Sequence, residues 1–172
     1  LNDGTGVMVD TGQSIYPDGA ANDVALGDLD GDADVDALFA RAIGATAWFN
    51  DGAGTFTEGV QALTESMTVA LGDLDGDLDL DVVAGGWNGL EIWLNDGSAS
   101  FASAGTGGAW NLRGATVLGD LDGDDDLDIV GVNANAPVIE VWLNDGTASF
   151  SDAGESPGLS FGNDVVLGDV NA

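Results

Sequence analysis

Three stretches of the chain place an aspartate at every second position across nine residues: DLDGDADVD (28–36), DLDGDLDLD (73–81) and DLDGDDDLD (120–128). The acids are Asp28, Asp30, Asp32, Asp34 and Asp36, then Asp73, Asp75, Asp77, Asp79 and Asp81, then Asp120, Asp122, Asp124, Asp126 and Asp128. In an extended chain alternate side chains share one side, so five carboxylates would line an edge at roughly 6–7 Å spacing. At an effective dielectric near 20, each neighbouring pair repels by about 2–3 kcal/mol. That is a heavy load for a domain whose whole stability is about 5–15 kcal/mol. A hard divalent cation reverses the sign. Carboxylate oxygens are the donors Ca2+ prefers, about six to eight in a flexible shell, whereas Mg2+ demands a strict octahedron and keeps its waters. Zinc and copper favour His or Cys, and the chain has neither. Glycine at the fourth place (Gly31, Gly76, Gly123) lets the backbone turn around an ion. These are not EF-hands, because the twelfth place, Glu in that loop, is Phe39, Ala84 and Gly131. Solvated Asp-Gly turns would not need an acid at every second place three times over.

The elements that hold these loops repeat with them. VALGDLDGDADVDAL (24–38), VALGDLDGDLDLDVV (69–83) and TVLGDLDGDDDLDIV (116–130) align directly, and a fourth copy begins at VVLGDVNA (165–172). A second element keeps the same phase: WFNDGAGTF (48–56), WLNDGSASF (93–101) and WLNDGTASF (142–150), with LNDGTGVM at the start of the chain. The apolar run before each acidic loop reads as one strand and the run after it as a second. A third ends at the Trp and a fourth holds the Phe. The Asn-Asp-Gly between the last two predicts a tight type I′ hairpin, since Asp-Gly supplies positive φ values. No stretch carries a sustained 3.6-residue apolar period, so essentially no helix is expected. Four strands per roughly 40–50 residues is the period of a β-propeller blade. The expected fold is therefore all-β, in four-stranded antiparallel repeats. Residues 1–21 would end a preceding blade, 22–66, 67–113 and 114–163 would form three blades, and 164–172 would begin a further one. A propeller needs about four to eight blades to close, so the stretch reads as part of a larger propeller or tandem array, or as a piece whose open ends pair with another copy.

Composition narrows the function. The formal net charge is −29, from 31 acids against two basic residues, Arg41 and Arg113. Such a surface repels phosphate backbones and anionic lipid heads, which argues against nucleic acid as a partner. No apolar run approaches the ~20 residues of a membrane span, so membrane insertion is not expected. Without Cys, His or Lys, the chain lacks the groups for Cys–His or Ser–His catalysis, disulfides and Schiff-base chemistry. Among the remaining acids no pair stands out for glycoside hydrolysis. The chain reads as a non-enzyme.

The acidic segment resembles the FG-GAP or VCBS-type repeat of integrin-α-like β-propellers, and the resemblance runs over nearly the whole chain. In that family a D-x-D/N-x-D/N-x-x-x-D loop between the first two strands of a blade binds calcium. The resemblance implies side-chain ligands at places one, three, five and nine and a main-chain carbonyl at seven. These are Asp28, Asp30, Asp32 and Asp36 with the Asp34 carbonyl; Asp73, Asp75, Asp77 and Asp81 with that of Asp79; and Asp120, Asp122, Asp124 and Asp128 with that of Asp126. Place six, often Gly in the family, is Ala33, Leu78 and Asp125 here. The fourth copy keeps only Asp169 and Asn171 and implies a partial site. About three complete calcium sites and one partial site are thus expected.

Trp48, Trp93 and Trp142 recur at one repeat position, and aromatics recurring per blade fill the space between neighbouring sheets. Trp87 and Trp110 have no counterparts, and they lie in connections, with Arg113 beside Trp110. Unrepeated aromatics in connections are candidates for a ligand or subunit contact. The leading expectation is an extracellular or cell-surface calcium-stabilised module with a structural, adhesive or self-assembling role, in a surface layer or filament. Its partners would be calcium, other copies or further repeats, and glycans or surface proteins. The alternatives are a carbohydrate-binding, lectin-like propeller and the non-catalytic propeller of a larger secreted enzyme.

Overall fold

A computed structural model describes residues 5–15, 20–107, 114–133, 138–157 and 164–168. These residues form twelve strands and no helix. The first sheet contains β1 (Ala21–Gly27), β2 (Asp36–Arg41), β3 (Thr46–Asn50) and β4 (Phe56–Ala62). The second contains β5 (Thr68–Gly72), β6 (Asp81–Gly86), β7 (Gly89–Asn95) and β8 (Phe101–Gly107). The third contains β9 (Thr116–Gly119), β10 (Asp128–Val132), β11 (Val138–Asn144) and β12 (Phe150–Pro157). Each sheet is an antiparallel meander of sequential strands, and the expected all-β, four-stranded repeat is what forms.

Alternation along the strands decides how the sheets stack. Successive side chains of β6 point to opposite faces. Val82 joins a core cluster with Leu38, Ala47 and Val69 between the first and second sheets. Val83 joins another with Leu90, Ile92 and Ile129 between the second and third. Every residue of β6 and of β10 is consequently buried. The repeated aromatics of the second and third sheets sit at these junctions. Trp93 packs against the first cluster and Trp142 against the second, with Phe101 and Phe150 beside them.

The first strands of the sheets line up side by side, β1 against β5 and β5 against β9, in an open array among the described residues. The Val69 N–H donates to Asp23 Oδ2 at 3.1 Å, and the Thr68 and Thr116 hydroxyls meet at 2.8 Å. The Leu-Gly-Asp glycines Gly27, Gly72 and Gly119 serve this close approach. A Cβ on Gly72 would stand 2.6 Å from Leu127 Cδ1 and 2.8 Å from Leu118 Cδ1, both on the next sheet. Gly119 is approached in the same way by Leu167.

The Asn-Asp-Gly hairpin differs from the expected two-residue type I′ turn. Five residues, 51–55, separate β3 from β4. Positive φ falls at Gly52 and Gly54, not at Asp51. The Asp51 N–H donates to Thr55 O at 3.1 Å, while Asp51 Oδ1 accepts the N–H groups of Ala53 and Thr55. Asp51 is thus an acceptor that organises a wider loop. These bonds, that from Thr55 foremost, hold its carboxyl below the usual range.

Candidate metal centres

Each acidic loop joins the first two strands of a sheet, and each coils back on its first carboxylate, turning at the place-four glycine. In the first, Asp28 Oδ1 accepts the Gly31 N–H at 2.8 Å and Oδ2 that of Ala33 at 2.9 Å. Asp73 receives Gly76 and Leu78 in the same way, at 2.8 and 3.0 Å, and Asp120 receives Gly123 and Asp125 at 2.7 and 3.3 Å. Place five accepts from place seven: Asp32 Oδ1 from Asp34 N, Asp77 Oδ1 from Asp79 N, and Asp124 Oδ1 from Asp126 N. Wrapping the backbone around the first carboxylate requires left-handed conformations at places four and six. The φ values are 78° and 72° at Gly31 and Ala33, 81° and 77° at Gly76 and Leu78, and 88° and 72° at Gly123 and Asp125. The departure from glycine at place six therefore leaves the turn intact, at about 1–2 kcal/mol per L-residue held there.

This coiling brings acids together in threes. Carboxylate oxygens of Asp28, Asp30 and Asp32 lie within 4.8 Å of one another, as do those of Asp73, Asp75 and Asp81, and of Asp120, Asp122 and Asp128. Three acidic clusters that could hold a metal ion are therefore built. Asp36 stands outside the first triad, and Asp77 and Asp124 stand outside the second and third. Burial raises the pKa of Asp30, Asp75 and Asp122, with neighbouring acids of the same loops adding to it. Asp30 Oδ1 and Asp75 Oδ1 are buried and accept no hydrogen bond. A buried carboxylate oxygen without a donor is costly, and it is what a cation would satisfy. The all-oxygen donor set suits a hard ion. By donor chemistry and by these two orphaned oxygens, the residues fit calcium.

Place nine is different in kind. Asp36, Asp81 and Asp128 are the first residues of β2, β6 and β10 and are fully buried. Each carboxylate bridges two backbone N–H groups. Asp36 holds Leu29 and Asn50 at 2.9 and 2.8 Å, Asp81 holds Leu74 and Asn95 at 2.8 and 2.9 Å, and Asp128 holds Leu121 and Asn144 at 2.7 and 2.9 Å. Burial pushes Asp81 up to about 6, against the pull of its two N–H donors. Place nine is therefore a clasp between the loop and the third strand, and in the second and third loops a candidate ligand as well. The asparagines it holds were legible only as turn residues, although Trp-x-Asn-Asp-Gly recurs three times.

The place-seven side chains leave the triads. Asp79 lies over the β7–β8 turn, where a Cβ on Gly97 would stand 2.5 Å from Asp79 Oδ2, and Asp126 covers Gly146 likewise. Asp34 occupies the same place over Gly52. Trp87 sits in the β6–β7 turn and is 51% exposed. Arg41 is buried, donating to Gly44 O at 3.3 Å and to the Thr46 hydroxyl. Asp169, Asn171, Trp110 and Arg113 lie outside the described residues.

Comparison with known proteins agrees with this architecture. Residues 73–131, from the second acidic loop into β10, match the model of the FG-GAP-like repeat. No curated protein matches the chain. Among solved structures, it is similar to a lectin of Agrocybe aegerita described for specific recognition of non-reducing terminal N-acetylglucosamine. The TM-score is 0.52 at 21% identity, over 80% of this chain, which spans 38% of that lectin's length. At that identity the likeness is one of fold. No helix among the described residues is long and apolar enough to cross a membrane. The stacked four-stranded sheets and these matches agree: residues 73–131 are similar to the FG-GAP-like repeat, and the sheets stack in the manner of propeller blades.

Proposed function

We propose that the chain is a non-catalytic, calcium-stabilised propeller module of the cell exterior, where calcium ions clamp the first hairpin of each repeat. The observation that carries this reading is the pair of buried carboxylate oxygens, Asp30 Oδ1 and Asp75 Oδ1, left without donors inside two of three repeated acidic triads. Calcium there supplies positive charge and additional coordination. The chain's own residues curl the loop with Asp28, Asp73 and Asp120 and clasp it to the sheet with Asp36, Asp81 and Asp128. Binding energy becomes folding energy, because anything that binds only the ordered loop favours the folded state. Extracellular calcium reaches levels at which sites of about 10⁻⁴–10⁻³ M fill. Three bound ions per chain, measured by elemental analysis after dialysis and by titration calorimetry, is the expected result. A chain free of calcium whose melting is indifferent to EDTA would refute the reading.

The structural role has its own support. Val24 and Leu26 on β1, and Val35 at the end of the first acidic loop, are 49%, 65% and 54% exposed. Their counterparts Val69, Leu71 and Leu80 pack against the preceding sheet. A further repeat or another copy of the protein would cover that face.

A second reading, carbohydrate binding, is favoured by the lectin fold likeness together with the half-exposed Trp87. A glycan array run with the chain and with Trp87→Ala tests it; no sugar retained by the parent chain rejects it.

A further inference from the structure

The acidic loops are joined to one another across the sheets. Asp36 Oδ2 accepts the Leu29 N–H, and Leu29 O in turn accepts Asn95 Nδ2 of the next sheet at 2.8 Å. The Asn95 N–H ends on Asp81 Oδ1, and Asp81 Oδ2 accepts the Leu74 N–H. Leu74 O accepts Asn144 Nδ2, again at 2.8 Å, together with the Ala148 N–H at 3.0 Å. The Asn144 N–H ends on Asp128 Oδ1, whose other oxygen takes the Leu121 N–H. One line of hydrogen bonds therefore runs from the first loop through the second to the third. It alternates the place-nine carboxylate, the peptide at place two and the asparagine of the Trp-x-Asn-Asp-Gly motif. From Leu29 to Asn144 every member is at least 95% buried, so water does not readily substitute for a broken link. Asn50, the matching asparagine of the first sheet, donates to Val35 O in its own loop at 3.2 Å. Asn95 and Asn144 keep that local bond too, to Leu80 O and Leu127 O, and add the cross-sheet one.

We propose that Asn95 and Asn144 are positioning residues that couple the cation sites of adjacent repeats, so that the sites fill together. This rests on the calcium reading above. A loop closed around its ion fixes the place-two carbonyl. The fixed carbonyl orders the asparagine of the next sheet, and the backbone of that asparagine is held by the next place-nine carboxylate. The second ion then meets a loop whose ordering cost has already been met in part, which is positive cooperativity through shared order.

The test is a double-mutant cycle on the 172-residue chain, read by calcium calorimetry. Asp32→Ala disables the first loop at an exposed residue outside the relay. It is expected to weaken the remaining sites by about fivefold or more, the lower end of typical coupling between sites. In an Asn95→Ala background the same change is expected to leave the remaining sites unaltered, while in Asn50→Ala it retains its full effect. Amide exchange of the parent chain at substoichiometric calcium gives a measurement free of variants: protection of the Leu29 and Leu74 N–H groups is expected to rise in step. Sites that bind calcium with affinities indifferent to Asp32→Ala, or an equal loss with and without Asn95, overturn the coupling and leave the calcium reading standing. A parent chain that takes up no calcium overturns both.

Discussion

Replacing Asp81 by Asn separates the two duties of place nine. Asp81 is fully buried and accepts N–H groups from Leu74 and Asn95. An amide keeps one acceptor oxygen and turns an NH2 toward the other donor, a buried mismatch worth about 1–3 kcal/mol. Against this, the ionised side chain carries a penalty of its own. Its pKa is pushed up to about 6 from 3.8 by burial, so keeping it charged at pH 7 costs about 3 kcal/mol. Asn escapes that cost. In chelator the two effects offset, and Asp81→Asn is expected to melt within a few degrees of the parent. In calcium the balance changes, because an ion at a hundred times its dissociation constant stabilises the fold by about 2.7 kcal/mol per site. The variant loses a member of the Asp73–Asp75–Asp81 triad and with it that contribution. For a chain of this size the loss corresponds to about 5–10 °C in Tm. The assay is a pair of calorimetric melts at pH 7, one in EDTA and one in millimolar calcium. A gap between parent and variant that is the same in both buffers would refute a ligand role for Asp81 and leave it as a backbone clasp alone.

Three further outcomes follow from the same geometry. Because the folded-state pKa of Asp81 lies above its ordinary value, the native state holds the extra proton between about pH 4 and 6, so in EDTA its contribution to stability declines as pH rises through that window. Melts in EDTA should therefore be higher at pH 5 than at pH 7, with the calcium-induced rise smaller at pH 5 as protons compete with the ion; the reverse order in EDTA contradicts the burial of this charge. Leu78→Gly relieves a left-handed residue that is 88% exposed. The relief of about 1–2 kcal/mol, less the extra freedom of glycine in the unfolded chain, about 0.5–1 kcal/mol, predicts a Tm raised by a few degrees, and a lowered Tm shows the loop to be unstrained. Gly72→Ala drives a methyl into Leu118 and Leu127 and should cost about 1–3 kcal/mol in denaturant melts, whereas Gly168→Ala, at the same motif position but with no atom of the described residues within 4 Å, should cost less; equal effects at the two sites would show that the cost does not come from contact with the next sheet.

The sequence by itself determined the local chemistry and its period. Alternating apolar residues, turn glycines and the phase of two motifs specify four short strands per repeat, because strand and turn preferences are set by neighbours a few residues away. The crowding of like charges at places one, three and five was equally readable, since it depends on spacing within one loop. Only the tertiary structure decided what lies between repeats. The burial of Asp36, Asp81 and Asp128, the reach of Asn95 to Leu29 O across 66 residues of chain, and the seating of Leu118 and Leu127 over Gly72 all arise when one sheet is laid on the next. The turn at the place-four glycines was readable in the same way, but the second left-handed residue of each loop was not, for a related reason. Left-handed φ at Ala33, Leu78 and Asp125 opposes the intrinsic preference of those residues, and it is held by hydrogen bonds to the first carboxylate that become visible once the loop is closed.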